Sequence, residues 1–177
     1  MLKRLAAAAA VALLLLPAAA FGEQYNSDKY GFSADFPSAP TVGDPTGSEK
    51  DKDGNFVSTS VMFTDIDQGV SAALIAVDSY VVSMPIDVAA SLTNERDNFV
   101  KGMSASTTSS RAGTLDGSQA LFFSYDRADH GAGGSGVVVI IETAKPRIYV
   151  VATMHTPSAS AERIADLDRF VSSFHLK

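Results

Sequence analysis

Apolar residues concentrate in three consecutive runs late in the chain. The first holds Ala120, Leu121, Phe122, Phe123 and Tyr125. The second is Val137, Val138, Val139, Ile140 and Ile141. The third runs from Ile148 through Tyr149, Val150, Val151 and Ala152 to Met154. Each is short, rich in β-branched and aromatic residues, and bounded by turn chemistry, which predicts strands over residues 118–126, 136–143 and 148–155. Pro146 suits the second position of a tight turn and makes residues 143–148 a hairpin connection. Residues 137–141 are apolar at every position, and the third run is apolar at alternate positions with Tyr149 and Val151 on its other face. Strands apolar on both sides require cover on both faces, so helices are expected on each side of this sheet.

Earlier segments alternate more openly. Phe32, Ala34 and Phe36 alternate with Ser33 and Asp35, giving a hairpin over residues 23–36 that Pro37 ends. Residues 41–48 read as a Gly/Pro-rich loop. A second hairpin is expected over residues 49–65 around Asp53-Gly54, a strong reverse-turn pair, followed by a turn at residues 65–69 and a strand over 70–82. Pro85 and Asp87 then open a helix, with Val88, Leu92, Phe99 and Met103 on one face and Glu95, Arg96 and Lys101 outside. Residues 107–115 are polar and β-branched, the signature of an edge strand, and Asp116-Gly117 turns into the central meander. Residues 157–160 cap a last helix with a stripe of Ile164, Leu167, Phe170, Val171 and Phe174. The fold class is therefore α+β: an antiparallel β-sheet covered by helices on both faces, an α/β/α sandwich.

Composition changes the picture at the N-terminus. Lys3 and Arg4 precede an uninterrupted apolar run over residues 5–16, and small residues follow at cleavage spacing. The run is shorter than the ~20 residues a bilayer core requires, so residues 1–22 read as a secretory signal peptide, cleaved after Ala20 or Gly22. Residues 23–177 are one domain, long enough to bury a core unaided. The 177-residue chain has no cysteine, which excludes disulfides and a thiol-linked lipid anchor. Its net charge is −6, and removal of Lys3 and Arg4 makes it more negative. An acidic surface disfavours nucleic acid and anionic membrane as partners. These features predict a periplasmic or secreted monomer, with no membrane association after cleavage, whose partner is a protein or small molecule of the envelope.

Candidate chemistry is sparse. Gly131-Ala132-Gly133-Gly134-Ser135-Gly136 spells the dinucleotide fingerprint, but a β-run follows where a helix N-terminus would be needed, so it reads as a flexible hairpin loop. Asp126, Asp129 and His130 stand at the mouth of that loop; two carboxylates and an imidazole could hold a divalent cation, and no other cofactor is implied. Asp51–Asp53–Asn55 and Asp65–Asp67 echo the start of a calcium loop, but the twelfth positions are Met62 and Ala76 instead of glutamate, so both read as turns. No nucleophile elbow exists, and His155 and His175 read as structural or surface residues. A non-catalytic role is favoured over an enzymatic one, with recognition placed on the loops at residues 43–54 and 126–136. A divalent-metal-dependent protein is the second reading. A hydrolase assembled only in three dimensions is the third, to be marked by a deep pocket with a serine beside a histidine.

Tyr30-Gly31-Phe32-Ser33-Ala34-Asp35-Phe36-Pro37 resembles the Gly-Phe-Ser-x-x-Phe-Pro opening of PsbP-like bacterial proteins. The central helix, the Asp116-Gly117-Ser118-Gln119-Ala120 step into a strand, and the Asp168-Arg169-Phe170-Val171-Ser172-Ser173-Phe174 ending are similar to that group too. The resemblance implies an antiparallel sheet between helices, as in the extrinsic photosystem subunit and the Ran-binding import factor. It also implies a binding or assembly role, and it places no functional residue. A long plant-type N-terminal arm is missing, so a photosystem role is not implied.

Overall fold

The structure, a computed structural model, describes residues 22, 24–47, 58–80, 86–128, 131–143 and 146–177. Among them the elements follow in order. Gln24–Ser27 (β1) and Phe32–Asp35 (β2) form the first hairpin, followed by two short strands, Thr41–Val42 (β3) and Thr46–Gly47 (β4). Thr59–Asp67 (β5) and Ser71–Ser79 (β6) lead to helix Val88–Gly102 (α1). Ser106–Leu115 (β7), Ser118–Arg127 (β8), Ala132–Ile141 (β9) and Arg147–His155 (β10) are consecutive. Helix Ala161–Ser172 (α2) and His175–Leu176 (β11) complete the domain. The large sheet has the order β3-β5-β6-β10-β9-β8-β7, with β4 also on β5; a small sheet has the order β1-β2-β11. Every described pairing is antiparallel.

The three apolar runs are adjacent strands β8, β9 and β10, and the alternation within β9 shows why it is apolar throughout. Val137 and Val139 join a buried cluster with Phe32, Phe36, Phe63, Leu167, Phe170 and Phe174. Val138 and Ile140 join a second cluster with Val88, Leu92 and Val100 of α1, and with Phe123 and Tyr125. Successive strand side chains point to opposite faces, so each of these strands contributes to both clusters. The helices begin where the capping residues dictate: Asp87 accepts from the Ala90 N–H at 3.0 Å, and Ser160 accepts from the Arg163 N–H at 3.1 Å.

Cover is incomplete at the sheet's margins. α1 packs on β7 to β10, and α2 on β2, β6, β9 and β10. On β5, Val61 and Phe63 are buried, whereas Met62 and Ile66, on the alternate face, are 51% and 66% exposed. β7 is the edge strand its polarity predicts and is exposed along most of both faces.

Several expectations are corrected. Residues 132–136 are not a flexible loop but the first half of β9, paired with β8 from Arg127↔Ala132 onward. The glycines are there for close approach. A Cβ on Gly134 would collide with the Thr153 carbonyl oxygen and lie 3.0 Å from the Tyr125 hydroxyl. That hydroxyl passes over β9 and donates to the Thr153 carbonyl of β10 at 2.7 Å. Residues 41–48 contain β3 and β4, held against β5 rather than looping free. Asp65 is not a turn residue: it is 6% exposed in β5, accepts from the Ser38 N–H and hydroxyl at 2.9 Å each, and pairs with Arg163 of α2 at 3.3 Å. Strand β11 was not foreseen; its two residues carry no pattern until β2 offers an edge. The Asp53-Gly54 turn and part of the residue 143–148 connection lie outside the described residues.

Candidate functional site

A groove of about 450 Å³ lies between the β7–β9 end of the sheet and α2. Strand register builds its floor. Ser109, Ser124 and Ser135 are aligned across β7, β8 and β9, and Arg111, Phe122 and Val137 are aligned in the row two residues away. Val171 of α2 forms the facing wall. The groove is open because β7 carries serines, an alanine and a glycine where a covered strand would present large apolar side chains. Ser110 contributes no hydroxyl to the floor: alternation turns it to the other face, where Arg96 of α1 donates to it at 2.9 Å.

Arg111 is the group that gives the groove its chemistry. Its guanidinium lies over the Phe122 ring, 4.7 Å from the centroid, a cation–π contact. Gly113 allows this, because a Cβ there would lie 3.1 Å from the Phe122 ring and 3.2 Å from an Arg111 guanidinium nitrogen. Among the described residues, Arg111 has no ion-pair or side-chain hydrogen-bond partner. Other cations are engaged: Arg96 with Asp97, Arg163 with Asp65, Arg169 with Asp166, and Lys177 with Asp28. Arg163 also donates from Nε to the Ser71 hydroxyl at 2.8 Å, so the Asp65–Arg163–Ser71 set is a satisfied strut between α2 and the sheet.

A smaller cavity of about 210 Å³ lies beside the first half of α1, lined by Tyr80, Ile86, Ser91, Asn94, Glu95 and Ile148. Its polar character is the reverse. Tyr80 donates to the Glu95 carboxylate at 3.5 Å. Burial, then the charge of Asp78, raises the Glu95 pKa. The Tyr80 hydroxyl is pushed up by burial and by both carboxylates. Helical periodicity alone places Glu95 outside; it is half-buried at the edge of the α1 cover beside Tyr80 and Ile148.

Of the sequence-derived metal residues, Asp126 is the one described. It is exposed at the end of β8, with a carboxylate oxygen 2.5 Å from where a Gly133 Cβ would stand, so it lies over β9. Asp129 and His130 lie outside the described residues, and among the described residues no three acidic, histidine or cysteine side chains converge as a metal site. Of the loops expected to carry recognition, at residues 43–54 and 126–136, residues 132–136 are strand, and residues 48–54 and 129–130 lie outside the described residues. Neither cavity sets a serine beside a histidine. The pKa of Tyr125 is pushed up to about 12 by burial, so it acts as a fixed neutral donor and not as an acid–base group. The groove went unread because Arg111 and Gly113 stand in a polar edge strand. Their spacing opposite Phe122 becomes meaningful only once β7 is registered on β8.

The chain has a PsbP-like fold. It is similar to cyanobacterial PsbP (CyanoP) from Synechocystis sp. PCC 6803, with a TM-score of 0.56, 16% identity, and 98% of this chain and 99% of that chain covered. It also aligns with LpqN, involved in cell envelope biogenesis of Mycobacterium tuberculosis, with a TM-score of 0.46, 13% identity, and 80% and 86% of the two chains covered. No protein-family model matches the chain, and no curated protein matches it. Among the described residues, no helix is long and apolar enough to cross a membrane.

Proposed function

We propose that this chain is an exported, non-catalytic envelope protein that binds a small ligand in the groove between β7–β9 and α2. The observation that carries the reading is the groove itself. It has an apolar floor, a row of hydroxyls and a guanidinium unpaired among the described residues, in a volume of about 450 Å³. Small-molecule sites combine these features: a largely apolar concavity of ~300–1,000 Å³ with a few placed polar groups. The reading takes the large sheet as the middle of an α/β/α arrangement, α1 on one face and α2 with the small sheet on the other, whose rigidity holds the groove open. It takes residues 1–22 as a signal peptide, and the PsbP-like resemblance to binding and assembly proteins supports a non-enzymatic role.

The test is a ligand-observed NMR screen of a fragment library against the native protein and Ser124→Phe, which fills the floor. Fragments that bind the native protein and lose binding to Ser124→Phe support the reading; fragments that bind both equally overturn it. Mass spectrometry of the protein recovered from the periplasm checks export, with mature chains expected to start at Phe21 or Glu23. Calorimetry with Ca²⁺, Zn²⁺ and Mn²⁺ tests the metal reading: heat abolished by Asp129→Ala and His130→Ala would favour it over the groove.

A further inference from the structure

The groove's polar groups are not neutral in what they select. We infer that the ligand carries one anionic group, a carboxylate or a phosphate, which Arg111 holds at the β7 end of the groove; this rests on the groove being the binding site.

A guanidinium is a planar fork of five donors whose face and edge do different work. The face of Arg111 is occupied by the Phe122 ring. Its edge, free of any partner among the described residues, retains the donors that match two acceptor oxygens on one anion. Stacking fixes the plane of the fork before a ligand arrives, which lowers the ordering cost of binding. Ser109 lies two positions along the same strand, on the same face, and Ser124 lies directly across from it. Both can donate to oxygens the guanidinium leaves unfilled. Among the described residues Arg111 has no carboxylate partner, in a chain whose net charge is −6.

The groove's other side limits the ligand. Helical spacing puts Asp168 one turn before Val171 and further toward solvent on the same flank of α2, and it is exposed. A carboxylate one turn from the groove wall adds negative potential on the α2 side, which works against a second anionic group there. The single anion lies toward β7, and an apolar or aromatic body lies along Phe122 and Val171. The acidic surface as a whole works against polyanions for the same reason.

The experiment uses the mature protein labelled with ¹⁵N and four probes of one shape: benzoate, phenyl phosphate, benzyl alcohol and benzylammonium. At low salt, benzoate or phenyl phosphate should shift the amide signals of Arg111, Ser124, Ser135 and Val171, at least about ten-fold more tightly than benzyl alcohol. The stronger of the two anions identifies the headgroup class. Arg111→Gln should bring the anions to the level of the alcohol with at most a small shift of the thermal midpoint, and Arg111→Lys should retain part of the preference. Added salt should weaken the anions alone. If benzyl alcohol or benzylammonium shifts the groove as tightly as the anions do, or Arg111→Gln leaves the anions unaffected, the inference falls while the groove stands. If none of the four probes moves the groove residues, the inference and the groove reading fall together.

Discussion

The two open flanks of the large sheet differ in sign. Beside α2, the β7–β9 groove presents a guanidinium stacked on Phe122 and a row of serines. Beside α1, the smaller cavity presents Glu95 and Tyr80 with Asp78 close enough to disturb both. Each arises in the same way: a helix narrower than the sheet leaves a margin uncovered, and the polar residues of the margin decide its chemistry. The interiors differ too. The α2 side holds fully buried Phe32, Phe36, Phe63, Tyr149, Phe170 and Phe174, whereas on the α1 side the buried aromatics are Phe123 and Tyr125 of the sheet, and the helix adds Val88, Leu92 and Val100 with a partly exposed Phe99. The aromatic side anchors the fold. The lighter α1 side leaves two carboxylates and a phenol in partial burial, where their mutual repulsion is tolerated.

The sharpest break of this comparison is a pair of truncations. Phe170→Ala should cost about 3–5 kcal/mol in denaturant unfolding, and Phe99→Ala clearly less, because Phe170 is fully buried against Phe36 and Phe99 is not. Equal losses would end the claim that one side anchors the other. Next, Asp65→Ala should cost about 3 kcal/mol, since it strands the Arg163 guanidinium and two Ser38 donors at a buried position. A loss below about 1 kcal/mol would show that α2 is held by its apolar stripe alone.

A smaller effect of opposite sign is expected at Glu95. Its raised pKa means the folded state binds the proton more tightly than the unfolded chain does. That linkage favours folding below the ordinary glutamate pKa and is lost as pH rises through the raised value. Glu95→Gln should therefore stabilise the protein at neutral pH by less than about 1 kcal/mol, given solvent screening at a half-exposed site. The gain should vanish below about pH 4 in thermal melts across pH. The smallest stability change belongs to Arg111→Gln, under about 1 kcal/mol in the same melts, because an exposed cation–π contact is all that it removes.

Residues 118–155 were legible because their chemistry is local: apolar runs, an Asp-Gly turn and β-branched residues each point the same way. The helix starts were legible for the same reason, through Asp87 and Ser160. The misreadings share another cause. Gly133, Gly134 and Gly136 suggest a loop by composition, yet they serve a strand because Tyr125 and Phe123 on β8 and the carbonyls of β10 crowd them, and those neighbours are distant in sequence. Asp65 reads as turn chemistry until Arg163, far along the chain, is brought to it. The same holds for the groove, whose residues come from β7, β8, β9 and α2 and acquire meaning through register.

The small sheet carries a consequence for how the domain is completed. Its first two strands are residues 24–27 and 32–35, and its third is residues 175–176, whose Leu176 pairs with Phe32. Phe32 is sealed beneath that layer at 0% exposure. During synthesis, the N-terminal hairpin must therefore wait, with one edge unoccupied, until residues at the opposite end of the domain emerge. Such a closure locks the domain late, like a clasp fastened by its two ends.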